Sequence, residues 1–224
     1  MISQQDSTAT SESVAIANPC NELRTVLFKT EAFKRSRQVS NISYSIEFHF
    51  TAFNTATYEV HSTVLFDIHP DAIPANEHIF IDCAVNTIFS LEINEVKFSA
   101  LDIQSIWSQN RLILNPHTLK QSGNQIKLHS QSKFSQDSYS VLCCQDISPF
   151  KSLLSQSPQT KYPVTIYCLF PTNNAHRAFC CFDQPNLKAR FSLTVQCPSE
   201  WTVVGNEFET LVSQTGQQSV WQCE

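Results

Sequence analysis

The sequence predicts an all-β protein, a saddle-like antiparallel β-sandwich with a short N-terminal helix in front of it. Three observations lead there. Two runs between Tyr44 and Ile68 alternate apolar and polar side chains with a period of two, as half-buried strands do. Short apolar runs bounded by turn residues then recur as far as His129. Near the end, Ala189, Phe191, Leu193 and Val195 alternate with Lys188, Arg190, Ser192 and Thr194, the cleanest alternation in the chain. Repeated short strands of this kind build a sandwich or a saddle-shaped sheet.

Residues 1–20 are rich in Ser, Thr and Gln and carry few bulky apolar side chains, so they cannot offset their own ordering entropy and are expected to form a disordered tail. The domain is expected over residues 21–224. From Asn21 to Arg37 the spacing of Leu23, Leu27, Phe28 and Phe33, with basic residues gathering at the end, predicts one short amphipathic helix. Tyr44, Ile46, Phe48 and Phe50 then oppose Ser45, Glu47, His49 and Thr51. Tyr58, Val60, Val64, Phe66 and Ile68 oppose Glu59, His61, Thr63 and Asp67. With Asn54-Thr55 as the turn, these two strands form a long hairpin. Further strands are expected at 78–83, 88–93, 96–99, 111–114 and 125–129. Between Ser130 and Tyr162 the pattern dissolves into Ser, Gln and Pro, which predicts a long loop, and order returns at Val164. Phe191 is expected in the core, and Trp201 and Val203 are expected to start a further strand.

Composition bounds the function classes. The net charge of −5 is spread without a basic cluster, which argues against nucleic acid and anionic lipid as partners. No run approaches the roughly 18 apolar residues of a membrane span, and residues 1–19 are polar where a signal peptide would be apolar, so no membrane partner and a cytoplasmic location are expected. The nine cysteines are odd in number and irregularly spaced, and Cys143-Cys144 and Cys180-Cys181 are adjacent. Neighbours in a strand point to opposite faces, so the thiols are expected free, as small buried hydrophobes. The Asn41-Ile42-Ser43 sequon would matter only in a secreted chain. With only three glycines, Asn, Asp, Ser and Pro must make the turns.

Zinc hydrolysis by the usual helical motif needs H-E-x-x-H and a distant carboxylate. His49, His61, His69, His78, His117, His129 and His176 never lie four apart on a helical stretch, so no metal ligand set is expected from local geometry. No Gly-rich loop precedes a helix, and no Ser or Cys stands beside a base and an orienting group. His176 and Asp183 could form an acid–base pair, but Asp183-Gln184-Pro185 is turn chemistry before a strand and favours a structural role for both.

The stretch from Asn174 to Phe191 resembles the A-R/H-R-x-F-P-C-x-D-E/Q-P-x-x-K-A-x-F signature of aminopeptidase N-type zinc metallo-aminopeptidases, matched here at Ala175, Arg177, Phe179, Cys181, Asp183, Pro185, Lys188, Ala189 and Phe191. Thr194-Val195, Pro198, Trp201 to Val204 and Asn206 look like the family's next strand. Ser43-Tyr44, Asn110-Arg111, Leu119, Gly123-Asn124 and Ile126 look like its first strands. The resemblance implies the N-terminal β domain of such an enzyme, which packs on a helical domain holding the zinc and lends a few residues to the substrate pocket. The chain reaches Glu224 before the family's G-x-M-E-N loop and zinc helix, so no catalytic residue, no intact substrate-binding residue and no zinc are expected in it.

Two departures from the family pattern follow. The T-Q-x-E that lines the family's first pocket and helps hold the substrate amine corresponds to Leu169 and Pro171, or, with a one-residue gap, to Cys168 and Phe170; either register removes the carboxylate. The signature's Pro is Cys180. The expected role is a non-catalytic domain that packs against a catalytic domain or another protein, with a stand-alone protein or peptide interaction module as the alternative. Leu169, Phe170, Phe182 and Trp221 are the expected exposed contact patch, and the strand with Val220 and Trp221 the expected free edge.

Overall fold

In the computed structural model the described residues are 15–20, 26–50, 56–145, 164–171 and 173–223. Its frame is the expected hairpin: β2 (Val39–His49) pairs antiparallel with β3 (Thr57–Ile68), joined through residues 51–55, so the predicted Asn54-Thr55 turn lies outside the described residues. Every even-numbered residue of β3 from Tyr58 to Ile68 is buried, and the odd-numbered residues face out. On β2, Asn41 takes a left-handed φ of 51° at a bulge where the register shifts between Ser40 and Ser43. Its side-chain amide donates to Asp67 at 2.7 Å, the local support that lets Asn occupy this conformation.

The strands before and after the hairpin extend it into one sheet. β1 (Ile16–Ala17), β5 (Thr87–Ile93) and β9 (Asn124–Lys133) lie beyond β3 in the order β1-β5-β9-β3-β2, and the two-residue β6 (Val96–Lys97) pairs with β5. On the other side, β12 (Ala189–Pro198) runs parallel to β2 and is followed by β14 (Gln218–Cys223) and then β13 (Glu209–Thr215). A three-stranded sheet of β4 (Ile79–Asp82), β8 (Arg111–Leu114) and β7 (Trp107–Ser108) covers part of the same face. The hairpin of β10 (Ser140–Gln145) and β11 (Val164–Leu169) covers another part. Two helices, α1 (Lys29–Gln38) and α2 (Ala100–Ile106), pack at the margin, α2 opened by Ser99 and Asp102 capping each other.

Two cores result. The larger lies between the large sheet and the β4-β8-β7 sheet and centres on Phe66, Ile79, Ile81, Ile88, Leu112 and Trp107. The smaller, with Ile46, Phe48, Tyr58, Val60, Val141 and Phe179, lies under the β10-β11 hairpin.

Several expectations need correction. Part of the expected tail is ordered: Ile16 and Ala17 pair with Ile88 and Thr87, and the Asn18 amide donates to the Val85 carbonyl at 2.8 Å; residues 1–14 lie outside the described set. The helix begins at Lys29, and it buries Arg35 and Gln38 while Phe28 and Phe33 stay exposed. The stretch 130–162 is not one loop, since β9 continues to Lys133 and β10 follows. Its alternation was hidden because Ser130, Ser132 and Ser140 occupy the buried positions. Trp201 and Val203 start no strand; a turn from the Pro198 carbonyl to the Trp201 N–H releases the chain until Glu209. β14 is flanked by β12 and β13, so at this end of the sheet the edge strand among the described residues is β13, with Leu211 and Val212 exposed.

Phe191 is 46% exposed. Its row is the inward one, paired in parallel with Tyr44 while Val195 pairs with Phe48, but at the start of β12 no layer of the described residues lies over it. Accordingly, Phe48→Ala is expected to cost about 3–5 kcal/mol and Phe191→Ala about 1–2 kcal/mol in urea unfolding. Equal costs would mean that the start of β12 is covered.

The scarcity of glycine shows at the turns. Asn94-Glu95 and Gln109-Asn110 each join two strands through two residues of positive φ, 50° and 71° in the first pair and 51° and 59° in the second. Glu95 pays a steric penalty that glycine would not. Glu95→Gly is expected to raise the unfolding free energy by about 0.5–1 kcal/mol at unchanged denaturant sensitivity; a destabilised variant would show that the Glu95 side chain contributes contacts of its own.

Candidate functional site

The segment that carries the resemblance threads between the two cores. A single turn of 3-10 helix, Ala175–Arg177, leads into Ala178 to Phe182, all buried. Cys180 and Phe182 enter the larger core, and Ala178, Phe179 and Cys181 enter the smaller. Adjacent cysteines therefore face opposite ways, and all nine thiols of the chain are free. The backbone of Cys181 exchanges two hydrogen bonds of 3.0 Å with Asp82, which ties the segment to β4. Tyr44 spans the two cores, and its hydroxyl accepts the Phe182 N–H at 2.9 Å.

At this junction lies a buried ion pair. Arg35 of α1 and Asp82 of β4 are each 1% exposed, with Nη1 2.6 Å from Oδ2. The second donor of Arg35, Nε, reaches Gln184 Oε1 at 3.0 Å, and the Asp183 N–H donates to Asp82 Oδ2 at 3.2 Å. Arg111 of β8 lies 3.5 Å from the other Asp82 oxygen and donates to Glu31 of α1 at 2.8 Å. The Phe80 ring has both guanidinium groups against it, at 4.5 Å and 4.0 Å from its centroid. Helix, small sheet and signature loop thus meet on one carboxylate.

Arg177 works at the other end of the segment. It donates to both Asp137 oxygens at 3.1 Å and 3.0 Å and to Ser135 at 3.2 Å, pinning the turn before β10. These bonds, the Arg177 ones foremost, hold the Asp137 carboxyl at about 2. His176 and Asp183 do meet, Nδ1 to Oδ2 at 2.6 Å, but the same oxygen also accepts the His176 N–H at 3.2 Å, and the imidazole is fully buried. The pair closes the turn. Burial pushes the Cys180 and Cys181 thiols well above their ordinary range, the reverse of what an activated nucleophile requires.

The second half of the signature turns outward. Pro185, Lys188, Ala189 and Phe191 are exposed, whereas Arg177, Phe179 and Cys181 are buried and Ala175 and Asp183 are half-buried. Leu169 and Pro171, at the end of β11, are also exposed. Phe170 and Phe191 each stand 5.7 Å from the buried Phe179 ring. Of the four residues expected to form the contact patch, Leu169 and Phe170 are exposed and Trp221 is half-buried. Phe182 is not part of it: only 3% exposed, it packs edge-on against Phe66. Phe191 takes its place.

A second constellation escaped the sequence reading, which tested the histidines only at helical spacing. On the outer face of the large sheet, ligand atoms of His49, Glu59 and His61 lie within 4.8 Å of one another. The signal was available in the hairpin pattern, because Glu47 and His49 on the wet side of β2 pair with His61 and Glu59 on the wet side of β3. His129, from the non-adjacent β9, could not be placed without the structure.

Comparison with known proteins bears on the whole chain. The family model of the Peptidase M1 N-terminal domain matches residues 40–223. Aminopeptidase N of Streptomyces lividans is 28% identical over 183 residues, which is 81% of this chain and 19% of the relative. Crystal structures of an M1 zinc metallopeptidase from Deinococcus radiodurans, one of them bound to a Tyr-Ser-Ala substrate, superpose with a TM-score of 0.56 at 11% and 12% identity; they cover 84% of this chain and 39% of theirs. The chain thus spans about a fifth of the curated relative. Among the described residues no helix is long and apolar enough to cross a membrane.

The buried carboxylate generates a direct test. Asp82→Ala strands the Arg35 charge in the core, and urea unfolding is expected to show a loss of about 3–5 kcal/mol, whereas the combined Arg35→Met and Asp82→Leu change should lose less than Asp82→Ala alone. A single-variant cost near zero would mean that water reaches the guanidinium.

Proposed function

We propose, on the premise that the chain belongs to the peptidase M1 N-terminal domain family, that it serves as the non-catalytic β domain of a zinc aminopeptidase-like protein and packs against a catalytic domain that lies outside this sequence. The observation that carries this reading is the division of the signature. Its first half is consumed inside the fold, and its second half leaves Phe191 exposed, as Phe170 and Leu169 are, on an inward-facing row that is open among the described residues. Apolar surface left open beside a family signature is what a docked domain would cover. The cytoplasmic location belongs to the same proposal; nine free thiols fit a reducing compartment.

A stand-alone interaction module is the second reading. It is favoured by Leu169 and Pro171, exposed hydrophobic residues standing where the family resemblance implies the amine-holding Gln and Glu. The coding sequence beyond Glu224 separates the two readings: an in-frame G-x-M-E-N and H-E-x-x-H support the first, and a stop codon the second.

The protein itself offers the complementary test. The isolated chain is expected to release no amino acid from aminoacyl arylamides and to self-associate through the open row. Phe170→Asp with Phe191→Asp should render it more monomeric in sedimentation while lowering its melting temperature only slightly. Chelator-sensitive arylamide hydrolysis, or a clean monomer that ignores both changes, would overturn the reading.

A further inference from the structure

We propose that the outer face of the β2-β3 hairpin carries a binding site for a first-row divalent transition-metal ion, held by His49, Glu59 and His61. Strand pairing assembles it. His49 lies directly opposite Glu59, Glu47 opposite His61, and His61 opposite His129 on the next strand, so alternating outward positions on three neighbouring strands place three imidazoles and two carboxylates on one patch. Donor atoms of His49, Glu59 and His61 already lie within 4.8 Å of one another. Ligands around a tetrahedral ion with bonds near 2.0–2.1 Å sit about 3.3 Å apart, so closing the site asks for about 1.5 Å of movement from partly exposed side chains.

The neighbours supply the outer shell such sites use. Glu47 Oε1 lies 2.8 Å from His49 Nε2, a carboxylate–histidine contact that fixes the ring. His129 Nε2 lies 3.0 Å from Glu59 Oε2 and steadies that carboxylate in turn. The His61 ring is stacked between the other two imidazoles, 4.8 Å from His49 and 4.1 Å from His129, the latter at an interplanar angle of 11°.

The donor set decides the class of ion. Two imidazoles and one carboxylate suit Zn²⁺, Cu²⁺, Ni²⁺ or Co²⁺, whereas Mg²⁺ and Ca²⁺ require oxygen-rich shells. Three protein ligands leave one position open to water or a small anion. The site is independent of the proposed docking surface, because Glu47 and His49 face the opposite side of β2 from Tyr44, Ile46 and Phe48.

Cobalt titration of the full chain tests the proposal. Cys144→Ser and Cys168→Ser remove the two exposed thiols from competition. In that background, after chelator treatment, one equivalent of Co²⁺ is expected to bind saturably, with visible d–d bands and no thiolate charge-transfer band. His49→Ala or His61→Ala should weaken binding at least about tenfold, and Glu47→Gln by about tenfold, whereas His117→Ala, at a remote exposed histidine, should leave it unchanged. Melting curves recorded in chelator separate lost binding from lost folding. Absence of saturable binding, a persistent thiolate band, or an affinity indifferent to both His49→Ala and His61→Ala in folded protein would overturn the proposal.

Discussion

The buried pair of Arg35 and Asp82 is the constraint on which the rest of the structure depends. Removing two charges from water costs several kcal/mol per ion, so such a pair depends on the hydrogen bonds and charges around it. Here they come from two further parts of the chain, the signature loop and β8. Gln184 Oε1 accepts from Arg35 Nε, the Asp183 N–H donates to one Asp82 oxygen, and the Arg111 guanidinium approaches the other. Each partner can reach the pair only if α1, the β4-β8-β7 sheet and the signature loop are docked together. The pair is therefore weak as a source of stability and strong as a specifier of arrangement, since a slipped loop or a rotated helix would leave a charge unpaired in the core.

From that anchor the path of the signature follows. Two antiparallel bonds hold Cys181 to Asp82 in a single bridge beside β4, and from Phe179 to Phe182 successive side chains enter different cores. The large rings, Phe179 and Phe182, go one to each side, and Cys180 and Cys181 likewise enter opposite cores. Tyr44 reaches across from β2 to satisfy the Phe182 N–H, which joins the long hairpin to the same junction. Arg177 then holds the turn at Asp137 that starts the hairpin lid over the smaller core. Residues which in the sequence read only as a family signature are here the splice between two cores.

What the sequence disclosed depended on contrast between wet and dry positions. β2, β3 and β12 were legible because charged and apolar residues alternate strictly in them. β9 was read short and β10 was missed because Ser130, Ser132 and Ser140 are buried, and a buried serine is indistinguishable from a loop serine in a one-dimensional pattern. The helix was found, but its buried face was misread: Arg35 is dry through pairing, which residue type alone cannot reveal, while Phe28 and Phe33 remain wet. Phe191 failed in a different way. Its row was correctly assigned, and its exposure reflects where the covering layer stops. Of the histidine cluster, His49, Glu59 and His61 were legible in the hairpin pairing and were missed because histidines were sought only at helical spacing, whereas His129 needed the structure, since β9 joins β3 in the sheet from some 60 residues further along the chain.

The two faces of β2 therefore carry separable capacities. Inward, Tyr44, Ile46 and Phe48 continue a row that is covered under the β10-β11 hairpin and open at Phe191. A partner seated there would bury apolar area and exclude water, without touching a charged group of the outer face. Outward, Glu47 and His49 join Glu59, His61 and His129 in a patch where polar side chains already orient one another. Because neighbouring residues of a strand point to opposite sides, a protein on the first face and an ion on the second need not compete for space. Any influence of one on the other would have to pass through the strand itself, whose pairing with β3 and β12 on both sides leaves it little freedom to shift.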